Sequence, residues 1–290
     1  MSAYEQVFSA VTEYLSSWCV GDADRLRQVL HPEGHAYSLG PTGNLVDMDT
    51  EALLTQAAAA QPPPNGAARL SGRVHAVTVL DDCTAVVKAE LARPLTEDAP
   101  LVGFLVLLRD GHLGWRIISE VATTSSVAAA GTPDIAAAQR HVSPAEFVEV
   151  VHQIRDGYME SGRAGDAACM ARTFHPMARL TFAEHGSVCI INCADFCRRV
   201  GKRWESDLHR PFAHLRSDPR IKQADTLLGV DFAGHDCALV TLKIGYPPCL
   251  YTDVLSLLDL RTDVERGGWW IVAKSSVKVP FLAEEARPKR

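Results

Sequence analysis

The stretch GDAACMARTFHP, starting at Gly165, echoes GDADRLRQVLHP, starting at Gly21, 144 residues earlier. Extended backwards without a gap, the match puts Tyr158 on Tyr14 and Ser161 on Ser17. Seven of the nineteen positions from Tyr14 to Pro32 then agree, where chance gives roughly one. A chain that repeats itself at this distance is read as two copies of one folding unit. The length of 290 residues agrees, because single domains cluster at about 100 to 150 residues. The expected division is a first domain at 1–125, a linker at 126–143, a second domain at 144–280 and a charged tail at 281–290.

Charge removes some partners. The net formal charge is -6, which gives no general attraction for nucleic acid or anionic lipid. The distribution is uneven: residues 1–143 hold 16 acids and 9 Lys and Arg, whereas the remainder holds 19 acids and 20 bases. Much of the difference sits in RRVGKRW and its continuation to Lys222, read as a solvated basic helix face with a phosphate or partner site as the alternative. The opening MSAYEQVFSAVTEY carries Glu5 and Glu13 and does not read as a signal peptide. APLVGFLVLL is about half the length of a bilayer crossing. No membrane partner is expected, and eight Cys without a leader point to reduced thiols in the cytoplasm.

Periodicity places the elements. Phe147, Val150, Val151, Ile154 and Tyr158 share one helical face, and Ser143, Pro144 and Glu146 form the N-cap, N1 and capping-box order. Tyr4, Val7, Phe8, Val11, Tyr14 and Trp18 do the same in the first copy. A second helix runs from each GDA, capped by Asp22 or Asp166, to HP. Each copy then gives a strand and a third helix, the later one capped by Asn192 with Cys193, Phe196, Cys197, Val200 and Trp204 inward. Four further strands close each copy. The fold class is α+β, two tandem cone-shaped barrels, each with three helices packed on a curved antiparallel sheet whose concavity is either packed solid or a pocket.

Tyr158 seven residues before Gly165, FHPMARL from Phe174, YTDVLSLLDL from Tyr251 and WWIVAK from Trp269 carry a resemblance. The second copy resembles the nuclear transport factor two-like superfamily, in the branch described as putative lumazine-binding, over nearly all of 144–280. The first copy is similar through GDADRLRQVLHP and GWRIIS. The resemblance implies a cone that is often dimeric and hosts ketosteroid isomerase, dehydratases, hydrolases and proteins of no known reaction; fold alone does not choose among them. Measured against ketosteroid isomerase, Tyr158 matches the oxyanion-hole Tyr, Asp253 the apolar-shielded Asp, and Phe182 stands where the general base belongs. Without that carboxylate the isomerase activity does not carry over. In the first copy Tyr14 is kept, Ser38 takes the base position and Gly103 falls near that of Asp253, so its site reads as degenerate.

The candidate ligand-binding residues are therefore Tyr158, Asp253, His175, Phe182 and Trp270. Tyr158 and Asp253 either hold a ligand carbonyl, with desolvation keeping Asp253 neutral as a donor, or form a buried bond tying helix to sheet. His31 and His175 are read as rings capping the end of the second helix, with acid–base work at the cone mouth as the alternative. Trp269 and Trp270 face opposite sides of the last strand; Lys274, four after Trp270, shares its face under strict alternation and needs an acid or an exit to water. Cys189, Cys193 and Cys197 are core or strand thiols rather than a metal stripe. No phosphate loop, nucleophile elbow or dinucleotide fingerprint occurs, so neither cofactor nor metal is expected. The functional expectation is a small-molecule binder, or a lyase or isomerase-type enzyme, with its pocket in the second cone. The alternative is a non-catalytic interaction module. An unidentified small molecule and a homodimer mate are the expected partners, with the two copies packed sheet to sheet.

Overall fold

A computed structural model of the chain describes residues 1–40, 42–59, 72–91, 101–124, 142–184, 187–260 and 267–281. Most of the expected linker and all but the first residue of the expected tail lie outside the described residues. The first half runs α1 (Ala3–Val20), α2 (Ala23–Arg27), β1 (Leu30–Leu39), β2 (Leu45–Asp49), α3 (Thr50–Ala59), β3 (Arg73–Val79), β4 (Thr84–Leu91), β5 (Leu101–Asp110) and β6 (Gly114–Thr124). The second opens with α4 (Pro144–His152), a π-helical stretch over Gln153–Glu160 and α5 (Ser161–Ala164), then α6 (Ala167–Thr173), β7 (Phe174–Glu184), β8 (Ser187–Asn192) and α7 (Cys193–Gly201). Short turns lead through α8 (Pro219–Gln223) to β9 (Thr226–Phe232), β10 (Cys237–Tyr246), β11 (Cys249–Asp259) and β12 (Trp269–Pro280).

The echoed residues are a stop-and-restart device. Gly21 and Gly165 end their helices in the left-handed region, at φ 71° and 72°, where a side chain is disfavoured. The next residue caps the following helix: Asp22 accepts from the Arg25 amide at 3.0 Å and Asp166 from the Cys169 amide at 2.8 Å. Each histidine of the HP pair acts one step later than expected. His31 Nδ1 accepts from the Glu33 amide, and His175 Nδ1 from the Met177 amide, both at 3.2 Å. The rings thus brace the irregular opening of β1 and β7.

The sheets have the same order, β2-β1-β6-β5-β4-β3 and β8-β7-β12-β11-β10-β9. They are mixed rather than antiparallel, because β1 pairs β6 and β7 pairs β12 in parallel. The cause is the crossover through the third helix, which returns the chain to the opposite end of the sheet so that the last strand meets the first in its own direction. Neither sheet closes into a barrel; each curls around its helices as an open cone wall. Val7, Val11, Tyr14 and Trp18 in one half, and Val150, Ile154 and Tyr158 in the other, fill the concave sides. The outer stripe residues Tyr4, Phe8 and Phe147 stay exposed, because they sit in the opening turns; Tyr4 and Phe8 stack on each other instead.

A third apolar cluster draws on both halves, with Phe104, Val106 and Val121 beside Leu239, Val254 and Val272. Lys88 Nζ reaches across to Asp231 Oδ1 at 2.8 Å and to the Phe232 carbonyl at 2.6 Å. Among the described residues no helix is long and apolar enough to cross a membrane.

Candidate functional site

One irregularity decides what faces the interior of the second half. Between Ile271 and Ala273 the β11–β12 register shifts, with Val272 as the extra residue. Such a bulge inverts the alternation of every side chain beyond it. Trp269 and Ile271 therefore point into the helix-side core and Trp270 and Val272 into the cluster between the halves, while Lys274 and Ser276 turn back into the concavity. The expectation that Lys274 shares a face with Trp270 fails for this reason. The first half carries the same bulge, between Ile117 and Ser119, and it turns Glu120 inward at the position corresponding to Lys274.

Lys274, Asp253 and Ser276 are almost fully buried and form one network with Tyr158. Asp253 Oδ2 accepts from the Tyr158 hydroxyl at 2.5 Å, and Oδ1 from the Lys274 ammonium at 2.6 Å. The Ser276 hydroxyl donates to the same Oδ1 and accepts from Lys274. Three donors converge on the carboxylate, so it acts as an acceptor, contrary to the expectation of a neutral donating acid. Burial, aided by the Asp253 charge, pushes the Tyr158 hydroxyl well above its ordinary value. Burial pushes the Lys274 ammonium down while Asp253 pulls it up. The π-helical stretch that presents Tyr158 has no counterpart in the unbroken α1; such insertions often mark functional positions.

This network forms the floor of a cavity of about 690 Å³, within the range of small-molecule sites. Phe182, Phe196, Tyr246 and Tyr251 supply aromatic walls. The Lys274 ammonium lies 5.3 Å from the Phe182 ring centroid and 5.9 Å from that of Tyr158. Of the five residues proposed from sequence, the structure brings Tyr158, Asp253 and Phe182 together here. His175 and Trp270 do not line the cavity; they pack edge to face, 6.0 Å between centroids, on the far side of the sheet.

Sequence reasoning missed much of the rim. Arg198, Arg199, Lys202 and Arg203, on and just after α7, border the opening together with Lys278. Their sequence signal was present, but RRVGKRW was read as a solvated face. The Arg203 guanidinium carbon sits 3.5 Å from the Tyr246 ring centroid, and its Nη1 is buried with no acceptor among the described residues. A buried donor left so costs about 1–3 kcal/mol. His209 also borders the cavity; its Nδ1 donates to the Pro247 carbonyl at 2.7 Å. That bond leaves the Nε2 lone pair free in the neutral ring, and burial holds the ring below the usual histidine range.

Cys193 and Cys197 lie in the α7 core face, whereas Cys189 lies on β8. Among the described residues no group of three His, Cys, Asp or Glu stands together as a metal site. In the first half Tyr14 donates to Glu120. Gly103, opposite Ala122, has no room for a side chain, since a Cβ there would lie 2.2 Å from the Val121 carbonyl oxygen.

A family described as "Putative lumazine-binding" matches residues 2–121 and again 146–275. The chain belongs to that family, in two tandem copies. Similar solved structures include an NTF2-like protein of unknown function from Silicibacter pomeroyi, at 18% identity, covering 42% of this chain and 98% of that one with a TM-score of 0.36. A ketosteroid isomerase-like protein from Erwinia carotovora atroseptica is 13% identical, covering 47% and 98%, with a TM-score of 0.34. A protein titled a putative dehydratase of the NTF2-like family, from Streptomyces avermitilis, is 20% identical, covering 42% and 94%, at 0.29. Comparison with curated proteins gave no match.

Proposed function

We propose that the second half of this chain binds a flat, carbonyl-bearing small molecule, and that the first half is its structural partner. The observation that carries the reading is the buried Tyr158–Asp253–Lys274–Ser276 network at the floor of an aromatic-walled cavity. Lys274, whose ammonium keeps a third N–H beyond those given to Asp253 and Ser276, supplies a donor held rigidly where a carbonyl or enolate oxygen would lie, and Tyr158 holds the Asp253 carboxylate that fixes it. The first half has no acid at Gly103, and Glu120, bonded to Tyr14, stands there in place of the Lys274 ammonium. The family description points to pteridinediones as the first compounds to try.

A lyase or isomerase-type reaction is the second reading, favoured by His209. Phe182 has no atom that accepts a proton, whereas the free Nε2 of a neutral His209 does. Proton abstraction by His209, with the resulting oxyanion held by the Lys274 ammonium, is the simplest chemistry these groups perform.

The test is a fluorescence titration of the whole chain with lumazine, run beside native mass spectrometry of the protein as purified. Binding should saturate, weaken at least tenfold in Tyr158→Phe, and vanish in Asp253→Leu. A parent protein that binds lumazine no better than Asp253→Leu does, and that carries no small molecule, would overturn the reading.

A further inference from the structure

The cavity in the second half is charged at its opening in a way the chain as a whole is not. Its lining contains Arg198, Arg199, Lys202, Arg203, Lys274 and Lys278 against only Asp195 and Asp253, an excess of four positive charges on a chain whose net charge is -6. Two of the cations are answered by the two acids: Arg198 pairs with Asp195 at 2.7 Å and Lys274 with Asp253 at 2.6 Å. At the rim, α7 and the turn after it contribute Arg199, Lys202 and Arg203 to that excess, with Lys278 of β12 beside them.

Arg203 is the member placed to use that charge. Its guanidinium carbon lies over the Tyr246 ring, 3.5 Å from the centroid, so the ring face holds the fork, and Nη1 is buried beside the cavity with no acceptor among the described residues. A planar fork held by an aromatic face recognises an oxyanion through two parallel hydrogen bonds, a geometry that lysine does not reproduce. Its positive field already reaches the floor: it counteracts burial at Tyr158, Tyr246 and Tyr251 and adds to the lowering of Lys274. Lined clefts of one sign also concentrate ligands of the other.

We infer that the cavity selects aromatic or conjugated carboxylates, with the ring between Phe182, Tyr246 and Tyr251 and the carboxylate on Arg203 at the rim. The inference rests on the small-molecule reading above and narrows it to an anion with two ends. The buried pair at the floor is balanced and takes the uncharged polar end of the molecule. The rim is unbalanced and takes the charge.

Isothermal titration with two matched pairs tests this on the whole chain: 2-naphthoate against 2-naphthamide, and benzoate against benzamide. Shape is conserved within each pair and only the charge differs. The acid should bind at least tenfold more tightly than its amide. That preference should shrink severalfold in Arg203→Gln, recover only in part in Arg203→Lys, and fall as salt rises from 50 to 500 mM. Circular dichroism of each variant separates lost recognition from lost folding. Equal affinity for acid and amide, unchanged by Arg203→Gln, overturns the anion selectivity and leaves the small-molecule reading standing. Failure of all four compounds to bind a folded parent that does bind lumazine overturns the carboxylate inference alone, and failure of lumazine as well overturns both.

Discussion

Lys274 Nζ stands 2.6 Å from Asp253 Oδ1 with both side chains almost fully buried, 2% and 1% exposed. Two charges removed from solvent in this way hold each other in place, and neither is tolerated alone: breaking one partner of such a pair typically costs about 3–5 kcal/mol. Lys274→Met should therefore lower stability by roughly that amount, and Asp253→Asn nearly as much, since an amide of the same size leaves the ammonium uncompensated. The double variant Lys274→Met with Asp253→Asn should lose less than the sum of the two single losses. Urea denaturation of the three variants measures this coupling, and strictly additive losses would show that the pair is not a unit.

Tyr158→Phe should be far milder. Asp253 keeps the Lys274 ammonium and the Ser276 hydroxyl, so the loss in stability should be about 0.5–1.5 kcal/mol, that of one hydrogen bond. Ligand affinity should fall much more than stability does. A drop in melting temperature as large as that of Lys274→Met would place Tyr158 in the scaffold alone.

The network also shows where the sequence was readable. Caps, helix faces and the duplication follow from local rules, and Ser143, Asp166 and Asn192 cap where their spacing said they would. Tyr158 and Asp253 met because their positions in the repeat and the strand order are fixed by topology. Lys274 was placed on the wrong face, because strict alternation knows nothing of an extra residue at Val272. The parallel pairing of β7 with β12 depends on a crossover that no local pattern reports. The basic rim was visible as RRVGKRW, but a charge run reads as solvated until the wall it borders is known.

Gly103 explains why the first half cannot simply be converted. It lies where β5 meets β6, and any Cβ there would fall 2.6 Å from the Ala122 Cα and 2.2 Å from the Val121 carbonyl oxygen. Gly103→Asp, which would match Asp253, should destabilise by more than the approximately 1–3 kcal/mol of ordinary overpacking, because it adds an unpaired acid to a steric clash. Gly103→Ala separates the two effects and should show the steric part alone. A Gly103→Ala protein with an unchanged melting temperature would mean that the strands separate there readily.

Acid should weaken the fold through two histidines. Burial is the largest influence on His31 and on His209 and lowers both from 6.5. Around His31, Glu33 and Asp110 oppose the shift while Arg116 adds to it. At His209 the Pro247 carbonyl opposes it, and Arg203 and Lys278 add to it. A histidine held lower in the folded chain than in the unfolded one contributes stability that is complete above pH 6.5 and is lost as pH falls through the folded value. The urea midpoint should decline below pH 6.5, and the decline should be shallower in His209→Gln. A midpoint that rises on acidification from pH 7 to 5 would contradict the assignment.

The seam between the halves sets the behaviour of the whole chain. Lys88 with Asp231 is a poor fastener, because Asp231 is 52% exposed and surface pairs contribute only about 0–1 kcal/mol. The apolar cluster of Phe104, Val106 and Val121 against Leu239, Val254 and Val272 is the stronger element, since each fully buried side chain of this kind contributes about 1.5–3 kcal/mol. The chain should consequently run as a compact particle of 31.5 kDa, or as a dimer of it, and melt in a single transition. Lys88→Ala should leave that transition single and shift it little. Leu239→Asp puts a carboxylate into the seam and should split it into two, with the particle expanding in small-angle scattering. Two independently tumbling halves in the parent protein would show that the shared cluster does not hold in solution.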